Sequence, residues 1–346
     1  MAVLPKHRLR FADFLHLVCL AFILSTAGFS LPARAAAQFA GTQAPGFYRF
    51  YLGHFEVTAL SDGTHPFPVH DVLTKSPAVS AEPIPLDQAA PDEADALLAE
   101  SNLSVPVQGS INAFLVNTGS KLILIDSGAG ALYGACCGQL LNNLRSSGYT
   151  PEQVDEIYIT HLHADHVGGI APGGKIAFQN AIVRASQADA DYWLDEGNAR
   201  AARPLLTSMF NADRAALTPY IEAGRFKPFV YGDALSPGIV PIPTAGHTPG
   251  HTSYQVESDG QRLLVWGDVV HVFQVQFPDP AVTVAYDSDA RGAFAERMAI
   301  FSDAAQKGYL IGAAHISFPG VGHIQARDGR FYWVPANYDG NPKASD

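Results

Sequence analysis

Short apolar runs separated by polar, glycine-bearing loops recur along most of this chain. Residues 54–60, 111–116 and 121–125 have the length and composition of strands, the last two joined as a hairpin across Asn117-Thr118-Gly119-Ser120. Residues 154–159, 182–185, 239–243, 252–256, 263–266 and 309–314 read the same way. Helical spacing appears over 92–101, over 139–147 with Gly148 as its C-terminal stop, and over 291–307 with Phe294, Met298 and Phe301 on one side. A further helical region runs from 188 to about 223, broken at Gly197 and Pro204. Strands followed by helices, twice over, predict an α/β fold with two sheets facing each other and helices outside. The proline-rich stretch 66–91 reads as an extended surface segment, and the tail 331–346 as irregular.

The first 37 residues read differently. Lys6, His7, Arg8 and Arg10 precede an apolar stretch interrupted only by Asp13 and His16. Ala33-Arg34-Ala35 and Ala35-Ala36-Ala37 both fit small-x-small cleavage sites. This is the pattern of a secretory signal peptide over 1–37, with an uncleaved membrane anchor as the alternative. It leaves one large domain over 38–346, in the periplasm or outside the cell and free of the membrane once cleaved. The composition, 47% hydrophobic and 16% charged over 346 residues, suffices for a buried core. The net charge of -11, with no Lys/Arg cluster beyond the N-terminus, excludes a nucleic-acid partner. Cys19 lies in the segment to be removed. The adjacent Cys136 and Cys137 read as two small apolar residues at a helix start, with a strained vicinal disulfide as the alternative.

Chemistry is concentrated at Thr160-His161-Leu162-His163-Ala164-Asp165-His166, directly after the apolar run 154–159. Imidazole nitrogen and carboxylate oxygen are ligands that zinc accepts readily. His161 and His163 alternate, so an extended backbone points both the same way, and Asp165 and His166 lie beyond the strand end, within reach of a second ion. His247, in Ala245-Gly246-His247-Thr248-Pro249-Gly250-His251, Asp268, in Leu263-Leu264-Val265-Trp266-Gly267-Asp268, and His315, after 309–314, repeat one grammar. Each is a ligand type in the loop after an apolar strand and small residues.

This set, in this order, resembles the metallo-β-lactamase superfamily over about residues 45–335, and within it the methyl parathion hydrolase group. The flanking runs 110–121, 125–129, 148–160 and 317–324 carry the finer likeness. The resemblance implies an αβ/βα four-layer sandwich with a dinuclear metal site at the sheet rim. It implies two divalent ions, zinc first: one on His161, His163 and His247, the other on Asp165, His166 and His315. Asp268 would bridge them, with a hydroxide as the second bridge. Imidazole at His163 favours zinc-type hydrolysis over redox chemistry. Asp165 and Asp268 are the expected catalytic carboxylates. Tyr133, Trp193 and Phe210 match by position aromatics of the leaving-group pocket, and His271 is placed to face the substrate; Phe273 and Phe277 are weaker candidates. Asp126 is expected to orient a ligand, His251 to be structural, and His323 to bond locally. The implied activity is hydrolysis of a small organophosphate triester, the alternative being an N-acyl homoserine lactone or an aryl ester. The partner is that small molecule, with a homodimer compatible.

Overall fold

Along the strand Val107–Asn117 (β5), Ala113 and Leu115 enter one core, and Phe114 and Val116 enter another. A strand covered on both faces belongs to the middle of a layered structure. The computed structural model describes residues 37–76 and 82–341; the expected signal segment lies outside the described residues save its last. Residues 37–44 contain neither helix nor strand, and the elements below belong to the unit that begins at Pro45. No helix among the described residues is long and apolar enough to cross a membrane.

The first sheet holds β1 (Phe47–Leu52), β2 (Phe55–Phe67), β5, β6 (Leu122–Ile125), β7 (Glu156–Tyr158) and β8 (Ile182–Arg184), in that spatial order. The second runs β15 (Arg330–Pro335), β14 (Val321–Arg327), β13 (Leu310–Gly312), β11 (Gln261–Val265), β10 (Thr252–Ser258) and β9 (Ile239–Pro243). Between the sheets lie Phe114, Ile123 and Ile125 from the first and Tyr254, Leu263 and Val265 from the second. The outer face of the first sheet packs Leu124 and Ile157 against Leu144, Phe210 and Leu217 of the helices Leu140–Ser146 and Pro204–Glu222. The outer face of the second packs Leu264 and Ile311 against Phe301 and Ala304 of the helix Ala290–Lys307. Helix, sheet, sheet, helix is the expected four-layer order.

Three parallel pairings set the position of the site. In the first sheet β6, β7 and β8 run parallel; in the second β11 and β13 do. The loops leaving the C-terminal ends of parallel strands gather at one rim, where such sheets place their ligands.

Two expectations need correction. The stretch 66–91 is not merely extended surface. It contains the helical turns Val69–Val72 and Leu86–Ala89 and, with Leu73–Lys75 (β3), Ile84–Pro85 (β4) and Thr283–Val284 (β12), forms a third small sheet. Val69, Val72, Leu73 and Leu86 are buried there against Val272, Val275 and Val282, so the apolar residues between the prolines outweigh the prolines. The tail from 331 is not irregular at first: β15 pairs in register with β14, with Phe331 and Trp333 against the core. Pro335 is tolerated because it ends an edge strand.

Candidate metal centre

The chain leaves β7 at Tyr158, carries His161 and His163 in a loop, and turns into the short helix Ala164–Val167 with Asp165 and His166. His247 lies between β9 and β10, Asp268 follows β11 and His315 follows β13. All seven side chains meet, with residue exposures from 0% to 7%, so desolvation is nearly complete.

Their donor atoms form two sets. His161 Nε2 and His247 Nε2 each lie 3.1 Å from His163 Nδ1. Asp268 Oδ2 lies 3.6 Å from His161 Nε2 and 3.4 Å from His247 Nε2. In the other set, Asp268 Oδ1 lies 3.1 Å from both His166 Nε2 and His315 Nε2, and Asp165 Oδ2 lies 3.8 and 3.4 Å from the same two nitrogens. Donors at about 2.0–2.1 Å around one tetrahedral ion are separated by about 3.4 Å. Both sets have that size, and Asp268 contributes one oxygen to each. Among the described residues, His166 Nε2 and Asp268 Oδ1 have no hydrogen-bond partner although buried, as atoms waiting for an ion would. The residues therefore fit two divalent ions.

Outer contacts fix which nitrogen faces inward. His166 Nδ1 donates to Asp126 at 2.9 Å, His247 Nδ1 to Asp287 at 2.7 Å and His315 Nδ1 to the Ser110 carbonyl at 2.8 Å. The Thr160 hydroxyl donates to Asp126 and pairs with His161 Nδ1 at 3.1 Å. Each leaves the Nε2 lone pair for the centre. Asp126 thus holds His166, a member of the second donor set, from a left-handed backbone with φ of 61°. His251 is structural. Its Nε2 accepts from the Asp268 backbone N–H at 3.0 Å, and its Nδ1 lies 2.8 Å from the Thr244 hydroxyl. Gly267 is required here, since a Cβ would meet His251 Nε2 at 2.6 Å.

Burial, then the neighbouring imidazoles, hold His161 and His163 well below the usual histidine range, so both are neutral donors at neutral pH. Burial also acts to lower His247, yet Asp268 and Asp287 together carry it up to about 9. Burial and the charge on His247 bring His251 down to about 3, which keeps it neutral.

Asp189 was not legible as part of the site. Its buried carboxylate accepts from the Leu162 N–H, the Gly250 N–H and the Thr248 hydroxyl, tying the loops of His161, His163 and His247 together. Asp287 was missed too, because the strand before it, Thr283–Val284, is only two residues long. His65, whose ring lies 5.4 Å from that of Tyr133, carried no pattern either.

The four expected substrate contacts divide. The Tyr133 hydroxyl donates to Asp165 Oδ1 at 3.2 Å. His271 Nε2 lies 3.0 Å from Asp268 Oδ2, its ring stacked on His315. Trp193 and Phe210 are instead sealed in the core, 0% and 1% exposed. Trp193 presents its edge to His163 and stacks obliquely on Phe210, because the helix Gln187–Trp193 packs inward behind the ligands. Phe277 is buried under the second sheet with Phe273 against it. His323 bonds locally, to the Gly308 carbonyl.

Facing sheets that bring these histidines and aspartates to one rim define a metal-dependent hydrolase by class. Residues 106–305 match the model of the metallo-beta-lactamase superfamily, and the chain belongs to that superfamily. It is similar to the solved hydrolase AbOPH of the beta lactamase superfamily, at 39% identity over 86% of this chain and 100% of that one, with a TM-score of 0.76. AidC, a dizinc quorum-quenching lactonase solved with N-hexanoyl-L-homoserine, shares the fold at 24% identity over 85% and 99% of the two chains, TM-score 0.72. An N-acyl homoserine lactonase of Bacillus cereus is 24% identical over 152 residues, 44% of this chain and 52% of its own. The chain spans only 41–63% of the length of the curated relatives it matches first, among them a ribonuclease of Thermus thermophilus.

Proposed function

We propose that this protein is a dinuclear metal-dependent hydrolase of small, mostly apolar ester-like substrates, with His161, His163, His247 and Asp268 holding one ion and Asp165, His166, His315 and Asp268 the other. The observation that carries this reading is the division of Asp268, with Oδ2 in one donor set and Oδ1 in the other. When bound, two divalent ions would lower the pKa of a shared water and polarise the substrate oxygen. Asp268 offsets their charge. The hydrogen-bonded carboxylates and carbonyl behind the imidazoles keep the donors aimed without reorganisation.

The polar residues at the mouth favour a lactone. Ring opening expels an alkoxide, which must gain a proton, whereas a nitrophenolate leaves unaided. Asp165 keeps Oδ2 for the second set and Oδ1 beside the Tyr133 hydroxyl, so Oδ1 is where that proton passes. The burial of Trp193 and Phe210 removes two walls of the aromatic pocket expected for a nitrophenolate, and the lactonases among the relatives point the same way. Organophosphate triesters are the second reading, supported by the likeness of 110–121 and 148–160 to the methyl parathion hydrolase group. The deciding experiment is one kinetic panel of methyl parathion, paraoxon, an aryl acetate and several N-acyl homoserine lactones, with metal content measured. Lactones lead if the proposal holds. Turnover of none of these by protein carrying two ions per chain refutes it.

Export is part of the same proposal, supported by the basic-then-apolar N-terminal pattern. The intact mass of exported protein should place the mature N-terminus between Ala36 and Gln38; retention of residues 1–30 contradicts cleavage.

A further inference from the structure

The loop between β6 and the helix Leu140–Ser146 carries a reactive pair that hydrolysis does not use. Cys136 and Cys137 are free thiols with their sulfurs 2.7 Å apart, Cys136 half-buried and Cys137 buried. The Cys136 thiol donates to the Tyr133 carbonyl at 3.3 Å, closing the turn Gly134–Cys136. Tyr133, at the start of that turn, reaches Asp165 through its hydroxyl. Beyond the pair the chain is pinned. Asp62 accepts from the N–H groups of Gly138 and Leu140 at 3.0 Å each. The Cys136 carbonyl lies so close to Gly63 that a Cβ there would meet it at 2.2 Å. Tyr133 thus lies on the side of the pair that Asp62 does not hold.

We propose that Cys136 and Cys137 are a redox modification site, where oxidation to a vicinal disulfide by a low-molecular-weight disulfide frees Tyr133 from Asp165 and weakens the second metal-donor set. The inference rests on the hydrolytic reading only for the place where the effect is felt. Cys136, the more exposed, attacks one sulfur of the small disulfide as its thiolate. A protein–small-molecule mixed disulfide forms and one small thiolate leaves. Cys137 then attacks the Cys136 sulfur, releasing the second small thiol. The two cysteines lose two electrons, the small disulfide gains them, and the two cysteine protons end on the two small thiols. The 2.7 Å between the sulfurs sets Cys137 beside the Cys136 sulfur for the second step. In the oxidised form Cys136 has no S–H to donate, so the Tyr133 carbonyl keeps only the backbone bond of its turn and the turn is loosened. Neighbouring Cα atoms are about 3.8 Å apart, below the usual disulfide range, so the bond is strained and excess thiol reverses it.

The test compares the full chain after glutathione disulfide with the same chain after reduced glutathione. Intact mass and free-thiol titration read the disulfide, and chelator competition reads the affinity for each of two equivalents of zinc. Oxidation should remove two hydrogens and weaken the second zinc by about tenfold, the range for loss of an outer partner, leaving the first unchanged. Cys136→Ser keeps a donor to the Tyr133 carbonyl, so it should match the reduced protein and ignore the oxidant. Tyr133→Phe should start with the weaker second zinc and show no further change. Failure to form the intramolecular disulfide overturns the proposal, as does a disulfide that leaves the second zinc unaltered. A reduced protein that never binds a second zinc contradicts the hydrolytic reading instead, before oxidant is added. Disulfide formation and the tyrosine ultraviolet difference spectrum, with Tyr133→Phe as control, then still decide whether oxidation moves Tyr133.

Discussion

His161, His163 and His247 are backed by core, whereas Asp165 of the second group is shared with a loop, and His271 lies between the two groups. Behind the first group, Asp189 ties both ligand loops, Asp287 holds His247, and the edge of Trp193 closes on His163. In the second group His166 and His315 are equally anchored by Asp126 and Ser110. Asp165, however, divides its carboxylate between the donor set and Tyr133, and His271 Nδ1 has no partner among the described residues. The first group is held by three buried outer contacts, whereas Asp165 of the second depends on one partly buried tyrosine.

The largest break in this comparison is at the shared residue. Asp268→Asn removes the charge common to both halves and should weaken both ions by more than about 100-fold, beyond the effect of losing an outer partner. Metal analysis after gel filtration checks this, and two tightly held ions with unaltered turnover would refute the bridge.

Trp193→Ala should soften the first group alone. Truncating a fully buried tryptophan costs about 3–5 kcal/mol, read from urea denaturation, and should loosen the ion on His163 more than the one on Asp165. An undiminished midpoint would mean the indole faces a substrate cavity after all.

Asp213 sharpens the comparison from beneath. On the helix Pro204–Glu222 it is fully buried, and neither carboxylate oxygen has a partner among the described residues. Burial, then the charges on Asp189 and Asp165, raise it well above the ordinary range, with His166 opposing. A raised carboxyl is protonated in the folded state over a range where the unfolded chain is ionised. Stability therefore falls as pH rises from about 4 toward the folded pKa, by about 1.4 kcal/mol per pH unit, and then levels. Asp213→Leu should remove that slope and raise the melting temperature at pH 8, with the gain shrinking toward pH 4. A gain independent of pH would show the carboxyl is not the titrating group.

The smallest effect is expected at His251→Ala. Both ions should remain, each weakened about tenfold, because the Asp268 backbone loses its acceptor while no donor atom is removed. Loss of an ion outright, measured by metal analysis, would make His251 a ligand.

These residues also show how far the sequence could be read. The histidines and aspartates of the two donor sets follow apolar runs, and that marked them as candidates; their division between two ions came from the family resemblance alone. His251 could be set apart from His247 only through the family resemblance. Asp189, Asp213 and Asp287 sit on or beside helices. Only the packing of the helices against the sheets brings them in, and no local pattern records that. Trp193 and Phe210 show the converse: an aromatic at a helical position has no mark that tells core from pocket. The third sheet was hidden because its strands are two or three residues long, below the length at which alternation is visible.

The central claim is that two ions shared through Asp268 make the hydrolytic centre. Metal-free protein titrated with zinc, with turnover of an N-acyl homoserine lactone followed at each addition, tests it most directly. Turnover should be absent without metal and reach its full value only as the second equivalent binds. Full turnover in metal-free protein, or a plateau after one equivalent, would contradict the account.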